Sequence, residues 1–198
     1  LTFDGVATIS GIALNEHVGT HTVVLTVYDG TVTVNQEFTI TVSNTNDPPV
    51  FTSVPGTSSL EDAEYSYTMI AEDIDIGDSL TFAAQALPDW LTFDGTATIS
   101  GTPTNNDVGD HPVVLMVTDD FGTTDEQSFT INVSNTNDSP VFTSTPTASA
   151  IEDAEYSYTA TASDIDVGDS LTYAAQALPD WLTFDGVATI SGIALNEH

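Results

Sequence analysis

Asp73 and Asp75 stand two residues apart in the run Asp73-Ile74-Asp75-Ile76-Gly77-Asp78. In an extended segment alternate side chains share a face, so the two carboxylates project together while Ile74 and Ile76 turn the other way. One hard cation could bridge such a pair, and Gly77 lets the chain turn back towards it. Further oxygen side chains lie in a stretch that occurs twice, Ser43-Asn44-Thr45-Asn46-Asp47-Pro48-Pro49-Val50-Phe51 and Ser134-Asn135-Thr136-Asn137-Asp138-Ser139-Pro140-Val141-Phe142. Proline fixes its own φ and biases its predecessor towards extended backbone, so each copy reads as a stiff junction carrying hard ligands. Ligation by oxygen alone, with many groups on offer, suits Ca²⁺ better than Mg²⁺, which demands tighter octahedral geometry. The competing reading is that these residues are solvated turn formers.

Composition sharpens the question of counter-charge. The 198 residues hold 30 Asp and Glu, four His, and no Lys, Arg or Cys, for a net charge of −30. Two like charges about 5 Å apart repel by roughly 3 kcal/mol at an effective dielectric of about 20. A tight carboxylate cluster therefore needs a cation, and apart from a protonated His no side chain supplies one. Nucleic acid and anionic membranes are poor partners, because both are bound by basic residues that replace counterions. Metal ions or a high-salt medium are the expected company. Disulfides are impossible, and the longest aliphatic run, Val113 to Val117, is far too short to cross a bilayer or insert in one. No signal peptide opens the chain at Leu1, and the pattern starts in mid-course, as in an internal window of something longer.

The elements that must position the acidic residues come from a repeat. Leu-Thr-Phe-Asp-Gly begins at residues 1, 91 and 182, spacings of 90 and 91. Residues 48–90 and 139–181 are identical at 32 of 43 positions, and residues 182–198 repeat residues 1–17 without a change. Residues 48–138 read as one complete module, residues 1–47 as the second half of a preceding one, and residues 139–198 as the first part of the next. Within the complete module the apolar period is two: Phe129, Ile131 and Val133 in one run, Val113, Leu115 and Val117 in another, with Tyr65, Tyr67, Leu80 and Phe82 opening two more. Asp94-Gly95 predicts a tight turn between Leu91-Thr92-Phe93 and Thr98-Ile99. Six or seven short strands without a helical stripe predict an all-β sandwich.

The order of motifs in residues 48–138 carries a resemblance. Pro-Val-Phe leads to Glu61-Asp62-Ala63-Glu64-Tyr65-Ser66-Tyr67, then to the Asp73 run, Leu87-Pro88-Asp89-Trp90, Ser100-Gly101-Thr102-Pro103, Val117-Thr118-Asp119 and the closing Asn-Thr-Asn-Asp. This resembles the dystroglycan-type cadherin-like module and the immunoglobulin-like repeats of bacterial and archaeal surface proteins. The resemblance implies tandem β-sandwiches outside the cell or on its surface, with Ca²⁺ held between modules. By matching positions it implies Asn44, Asn46, Asp47, Asp73, Asp75 and Asp119 at the first junction. At the second it implies Glu61, Asn135, Asn137, Asp138, Asp164 and Asp166. Two departures stand out: Asn occupies the first linker position in place of Asp, and the family's Asp-Arg-Glu motif is missing.

Other chemistry has weaker support in the spacing. Trp90 and Trp181 read as core plugs rather than sugar platforms. His17 and His21, four apart, flank a turn and do not form a convincing zinc pair. Asn132 and Asn137 fall in glycosylation sequons, one in a strand and one at a suggested metal ligand, and both read as chance matches. No nucleophile elbow or other triad spacing points to an enzyme. The function expected is a calcium-rigidified spacer or adhesive rod whose partners are neighbouring modules, with self-association or surface glycans as further contacts. The alternatives are a carbohydrate-binding or other adhesive module, and a filament subunit in which half-modules of neighbouring chains complete one another.

Overall fold

The computed structural model describes residues 2–195. In the first 47 residues lie β1 (Thr2–Phe3), β2 (Ile9–Ser10), a 3₁₀ turn (Asn15–His17), β3 (Gly19–Tyr28) and β4 (Thr33–Val42). Residues 48–138 carry β5 (Val50–Phe51), β6 (Ser58–Leu60), β7 (Tyr65–Thr68), β8 (Ala71–Glu72), β9 (Thr81–Ala86), β10 (Thr92–Phe93) and β11 (Thr98–Gly101). A second 3₁₀ turn (Asn105–Asp107), β12 (Gly109–Thr118) and β13 (Thr124–Ser134) follow. The remainder holds β14 (Val141–Phe142), β15 (Glu155–Thr159), β16 (Ala162–Ser163), β17 (Leu182–Phe184) and β18 (Thr189–Ile193). The chain is all-β, as its alternation predicts.

Two compact units divide these elements. One comprises residues 1–58, 64–102 and 110–132, the other residues 59–63, 103–109 and 133–198. In the first unit β10, β11 and β7 form one antiparallel sheet, and β12 pairs with both β9 and β13 in another. Ile99, Leu115, Val117 and Ile131 are wholly buried between these sheets. Burying one such side chain yields about 1.5–3 kcal/mol, which is why the inward-facing residues Val113, Leu115 and Val117 of β12 are all apolar. Tyr65 stands edge-on to Trp90 at 6.0 Å, and Tyr67 to Phe129 at 6.1 Å. Trp90 is half-buried and also meets His111 edge-on at 5.8 Å, so it is a packing residue and not an open stacking platform. The Asp94-Gly95 turn joins β10 to β11 as its spacing predicts, with Phe93 opposite Ile99. β3 and β4 form a ten-pair hairpin from Gly19–Val42 to Tyr28–Thr33.

In the second unit β15, β18 and β17 reproduce the β7, β11 and β10 sheet, down to the Tyr156–Trp181 edge contact at 6.0 Å. Residues 172–177 nearly repeat the sequence of β9, with Tyr173 for Phe82, yet they form no strand. β9 draws its ladder from β12, with Leu115 opposite Ala84 and Val117 opposite Phe82. Residues 172–177 have no such hairpin beside them, and an Ala-rich segment has too little intrinsic β preference to hold the conformation alone.

Candidate metal sites at the linkers

The first site belongs to the first compact unit and is built on residues 46 and 47. The backbone N–H of Asp47 donates to Asp75 Oδ2 at 2.7 Å, and the N–H of Asp75 donates to Asp73 Oδ1 at 2.9 Å. Asn46 Nδ2 donates to Asp119 Oδ2 at 2.8 Å and to Thr123 Oγ1 at 2.9 Å. From the 3₁₀ turn Asn15 Nδ2 reaches Asp47 Oδ2 at 2.7 Å. Gly77, with φ of 103°, folds the loop after β8 back, and carboxylate oxygens of Asp73, Asp75 and Asp78 lie within 4.8 Å of one another. Only Gly adopts that φ without strain.

These groups differ in how their charge is supported. Burial works against ionisation of Asp119, but the Thr123 hydroxyl, Asn46 and the backbone N–H groups of Thr123 and Phe121 outweigh it and hold its carboxyl at about 2. Asp78 goes the other way: desolvation first, then the charges of Asp73, Asp75, Asp120 and Asp119, push it upward. The cluster is thus short of positive charge on the Asp78 side.

The second site lies wholly in the second unit. Glu61, 2% exposed, follows β6 and is fixed by its own N–H on Ser134 O at 3.0 Å and by Thr136 N–H on its Oε1 at 2.7 Å. Asp62 after it takes φ of 58°, a left-handed turn that Asp tolerates, and donates its N–H to Pro103 O at 2.8 Å. Asp138 N–H donates to Asp166 Oδ2 at 2.7 Å and Asp166 N–H to Asp164 Oδ1 at 3.0 Å, repeating the first site bond for bond. Asn105 Nδ2 bridges Asp138 Oδ2 at 3.1 Å and Asp166 Oδ1 at 2.9 Å. Asn105 foremost, then the Asp138 N–H, lowers the Asp166 carboxyl, with Asn135 adding to it against desolvation. Carboxylate oxygens of Glu61, Asp138 and Asp166 lie within 4.8 Å of one another, as do those of Asp164, Asp166 and Asp169.

Among the described residues six buried side-chain atoms lack any hydrogen-bond partner: Asn46 Oδ1, Glu61 Oε2, Asp73 Oδ2, Asp75 Oδ1, Asp78 Oδ2 and Trp90 Nε1. All but the last are oxygens of these two sites. An orphaned buried acceptor costs about 1–3 kcal/mol, and more when charged, so five of them in two places mark where an electropositive group belongs. Among the candidate residues drawn from the sequence, Asn46, Asp47, Asp73, Asp75 and Asp119 come together at the first site. Glu61, Asn135, Asp138, Asp164 and Asp166 come together at the second. Asn137 Nδ2 turns to Asp138 O at 2.6 Å, and Asn44 is exposed and shares none of the hydrogen bonds of its cluster.

Sequence reasoning missed Asn15, Asn105, Thr123, Asp78 and Asp169. A pointer was present: the repeat keeps Asn at 15 and 105 before Val-Gly while the two intervening residues change from Glu-His to Asn-Asp. The second of those changes is explained by the turn itself. His17 Nδ1 accepts the N–H of Leu14 at 2.9 Å, and Asp107 Oδ2 accepts the N–H of Thr104 at 2.8 Å, so His17 serves as a turn cap. His21 Nε2 is engaged with His17 O at 2.7 Å.

Known proteins place this architecture. A family model described as Putative Ig domain matches residues 48–134 and 139–197. Among solved structures, PcdhgB3 EC1-4 aligns with a TM-score of 0.63 at 21% identity, over 94% of this chain and 51% of that one. Protocadherin Gamma B7 extracellular cadherin domains 1-4 align with a TM-score of 0.56 at 19% identity, over 93% of this chain and 51% of that one. The likeness establishes a cadherin-like β-sandwich fold, and the chain spans about half the length of these structures. An endo-fucoidan hydrolase of glycoside hydrolase family 107 aligns at 26% identity over 91% of this chain and 30% of its own, with a TM-score of 0.39 that is too low to support an argument. A search of the curated proteins returns no match.

Proposed function

The chain belongs to the Putative Ig domain family, and on that footing we propose that it is a structural and adhesive module of an extracellular or surface protein whose linkers bind Ca²⁺. The orphaned oxygens carry this reading. Asn46, Asp47, Asp73, Asp75, Asp78 and Asp119 would hold an ion at the first linker. At the second, the residues would be Glu61, Asn135, Asp138, Asp164, Asp166 and Asp169. Bound calcium supplies the positive charge that the sequence lacks. The protein's part is to hold the acceptors ready: the Asp47 and Asp138 N–H groups orient Asp75 and Asp166, and the Asp73 and Asp164 side chains brace the same loops. Asn15, Asn46 and Asn105 donate to carboxylates here; a half-turn of the amide presents its oxygen instead, so the same side chains serve the site with or without an ion.

Residues 48–138 fall between the two linkers, and each linker ties oxygen groups from before it to oxygen groups after it. Calcium there stiffens the chain at both ends of that stretch, and reach then grows with the number of repeats. The role expected is spacing and adhesion rather than catalysis. Titration calorimetry should give a dissociation constant of about 10⁻⁴ to 10⁻³ M. At calcium about ten times that constant the protein should gain about 1.4 kcal/mol per site against unfolding. Asp75→Asn and Asp166→Asn should each remove one class of site. Absence of both heat and thermal shift at that calcium level would return these residues to the role of hydrated turn formers.

A further inference from the structure

Ionised carboxylates accept hydrogen bonds and never donate them, so an amide beside them must present its nitrogen, whereas a cation in the same place would call for its oxygen. Asn105 stands at that choice. It opens the second 3₁₀ turn, and its Nδ2 donates to Asp138 Oδ2 at 3.1 Å and to Asp166 Oδ1 at 2.9 Å. Asp138 and Asp166 belong to a trio of carboxylates whose oxygens lie within 4.8 Å of one another, and the third member is Glu61. The amide has two protons, and both are used. Glu61, 2% exposed, is left with a bare Oε2. A neutral group thus does part of a cation's work: it joins two acceptors, leaves the third without a donor and cancels none of the charge.

The turn holds Asn105 there by contacts of its own. Asp107 Oδ2 accepts from both the N–H and the hydroxyl of Thr104, each at 2.8 Å, and the Asp107 N–H returns to Thr104 O at 2.8 Å. Asp107 therefore caps the turn while Asn105 faces the carboxylates. The arrangement recurs at the first site, where Asn15 opens its 3₁₀ turn and gives Nδ2 to Asp47 Oδ2 at 2.7 Å, with His17 as the cap. Turn, linker and Asp-rich loop are present at both places. The two residues between each Asn and the following Val-Gly differ between the copies, and the Asn stays.

We infer that Asn105 sets the calcium threshold of the second site, its NH₂ group keeping the cation's place until an ion displaces it and takes the amide oxygen in exchange. The inference rests on the calcium reading above and adds to it a state without the ion in which the loop stays ordered. Entry of the ion forfeits two charge-assisted hydrogen bonds, and net affinity is lower for it. Asp at this position has no donor to lose, and it adds a fourth carboxylate to the trio. Ligand charge is what tunes the affinity of calcium sites.

Asn105→Asp in the full chain tests this with two readouts of opposite sign. In chelator the melting temperature should fall by about 4 °C or more, since the cluster loses its donor and gains a charge. In calorimetry with calcium chloride, one class of sites should tighten about tenfold. That gain should vanish when Asp166→Asn is added, and a gain that survives would count against the inference. An amide that only braces the loop would weaken binding as its loss lowers stability. That pairing, or an unchanged dissociation constant, would overturn the inference and leave the calcium reading intact. Absence of heat with the unaltered chain would overturn the reading itself, and the inference with it. Nitrogen–proton correlation spectra of the unaltered chain remove any dependence on how the variant folds. The Asn105 side-chain NH₂ signals should shift with the same calcium midpoint as the heat, and signals that stay in place through saturation would also overturn the inference.

Discussion

A Cβ on Gly101 would sit 1.9 Å from the carbonyl oxygen of Trp90, and one on Gly192 would meet Trp181 in the same way. Neither glycine is there for a left-handed turn; each lets two backbones touch beside the tryptophan that plugs the sandwich. Gly101→Ala should therefore cost about 3 kcal/mol or more in urea unfolding, at the upper end of overpacking penalties, because backbone must give way. Asp94 is a second residue whose neighbours dictate its behaviour. The Thr96 hydroxyl at 2.7 Å and the N–H groups of Thr96, Ala97 and Thr98 at 2.7, 3.0 and 3.0 Å hold its carboxyl at about 2. The folded value lies below the unfolded one of about 3.9, so the stabilisation is complete above that pH and disappears as pH falls through about 2. Asp94→Asn keeps the acceptor and loses the titration. Its melting temperature should fall less than that of the parent between about pH 4 and pH 2, a difference that scanning calorimetry would register.

At the scale of elements, the repeat offers a controlled comparison. Leu115 and Leu25 occupy equivalent places on equivalent hairpins, one wholly buried and the other half-exposed. Leu115→Ala should cost about 3 kcal/mol, since it removes contacts and leaves a cavity, whereas Leu25→Ala should cost less than about 1 kcal/mol. Chemical denaturation followed at the tryptophans would separate the two. The alternation in β12 and β13, the Asp94-Gly95 turn and the absence of helical stripes were all legible in the sequence, because each is a local consequence of period or of glycine. The 3₁₀ turns at Asn15 and Asn105 were not. They are three residues long, and their role is to bring an amide to carboxylates 32, 33 and 61 residues away. The failure of residues 172–177 to become a strand was equally hidden, since β9 and its near-copy differ by the single change of Phe82 to Tyr173 and otherwise in what stands next to them. Of the candidate site residues, Asp73 with Asp75 could be paired from spacing alone. Joining Glu61 to Asp138 and Asp166 took a resemblance, because those contacts span 77 and 105 residues of chain.

For the whole molecule, a charge of −30 without a single Lys or Arg means that folding concentrates repulsion. Heat stability should climb as sodium chloride is raised from about 0.01 to 0.5 M, because the screening length shrinks from about 30 Å towards a few ångströms. If the linkers bind calcium, millimolar amounts of that ion should exceed what sodium achieves at the same ionic strength, and magnesium should fall between them. A thermal shift series with the three chlorides would decide. Identical responses to calcium and sodium would mean diffuse screening and no site.

Residues 172–177 have one practical outcome. A stretch of alanines without backbone partners is a cleavage point for an elastase-type protease, in a chain that trypsin cannot touch for want of Lys and Arg. Thr81–Ala86, spelled almost alike but held in a ladder, should resist the same enzyme. Two nearly synonymous hexapeptides in one polypeptide would then have different survival times, and the difference would measure the protection that the β12 ladder gives to β9.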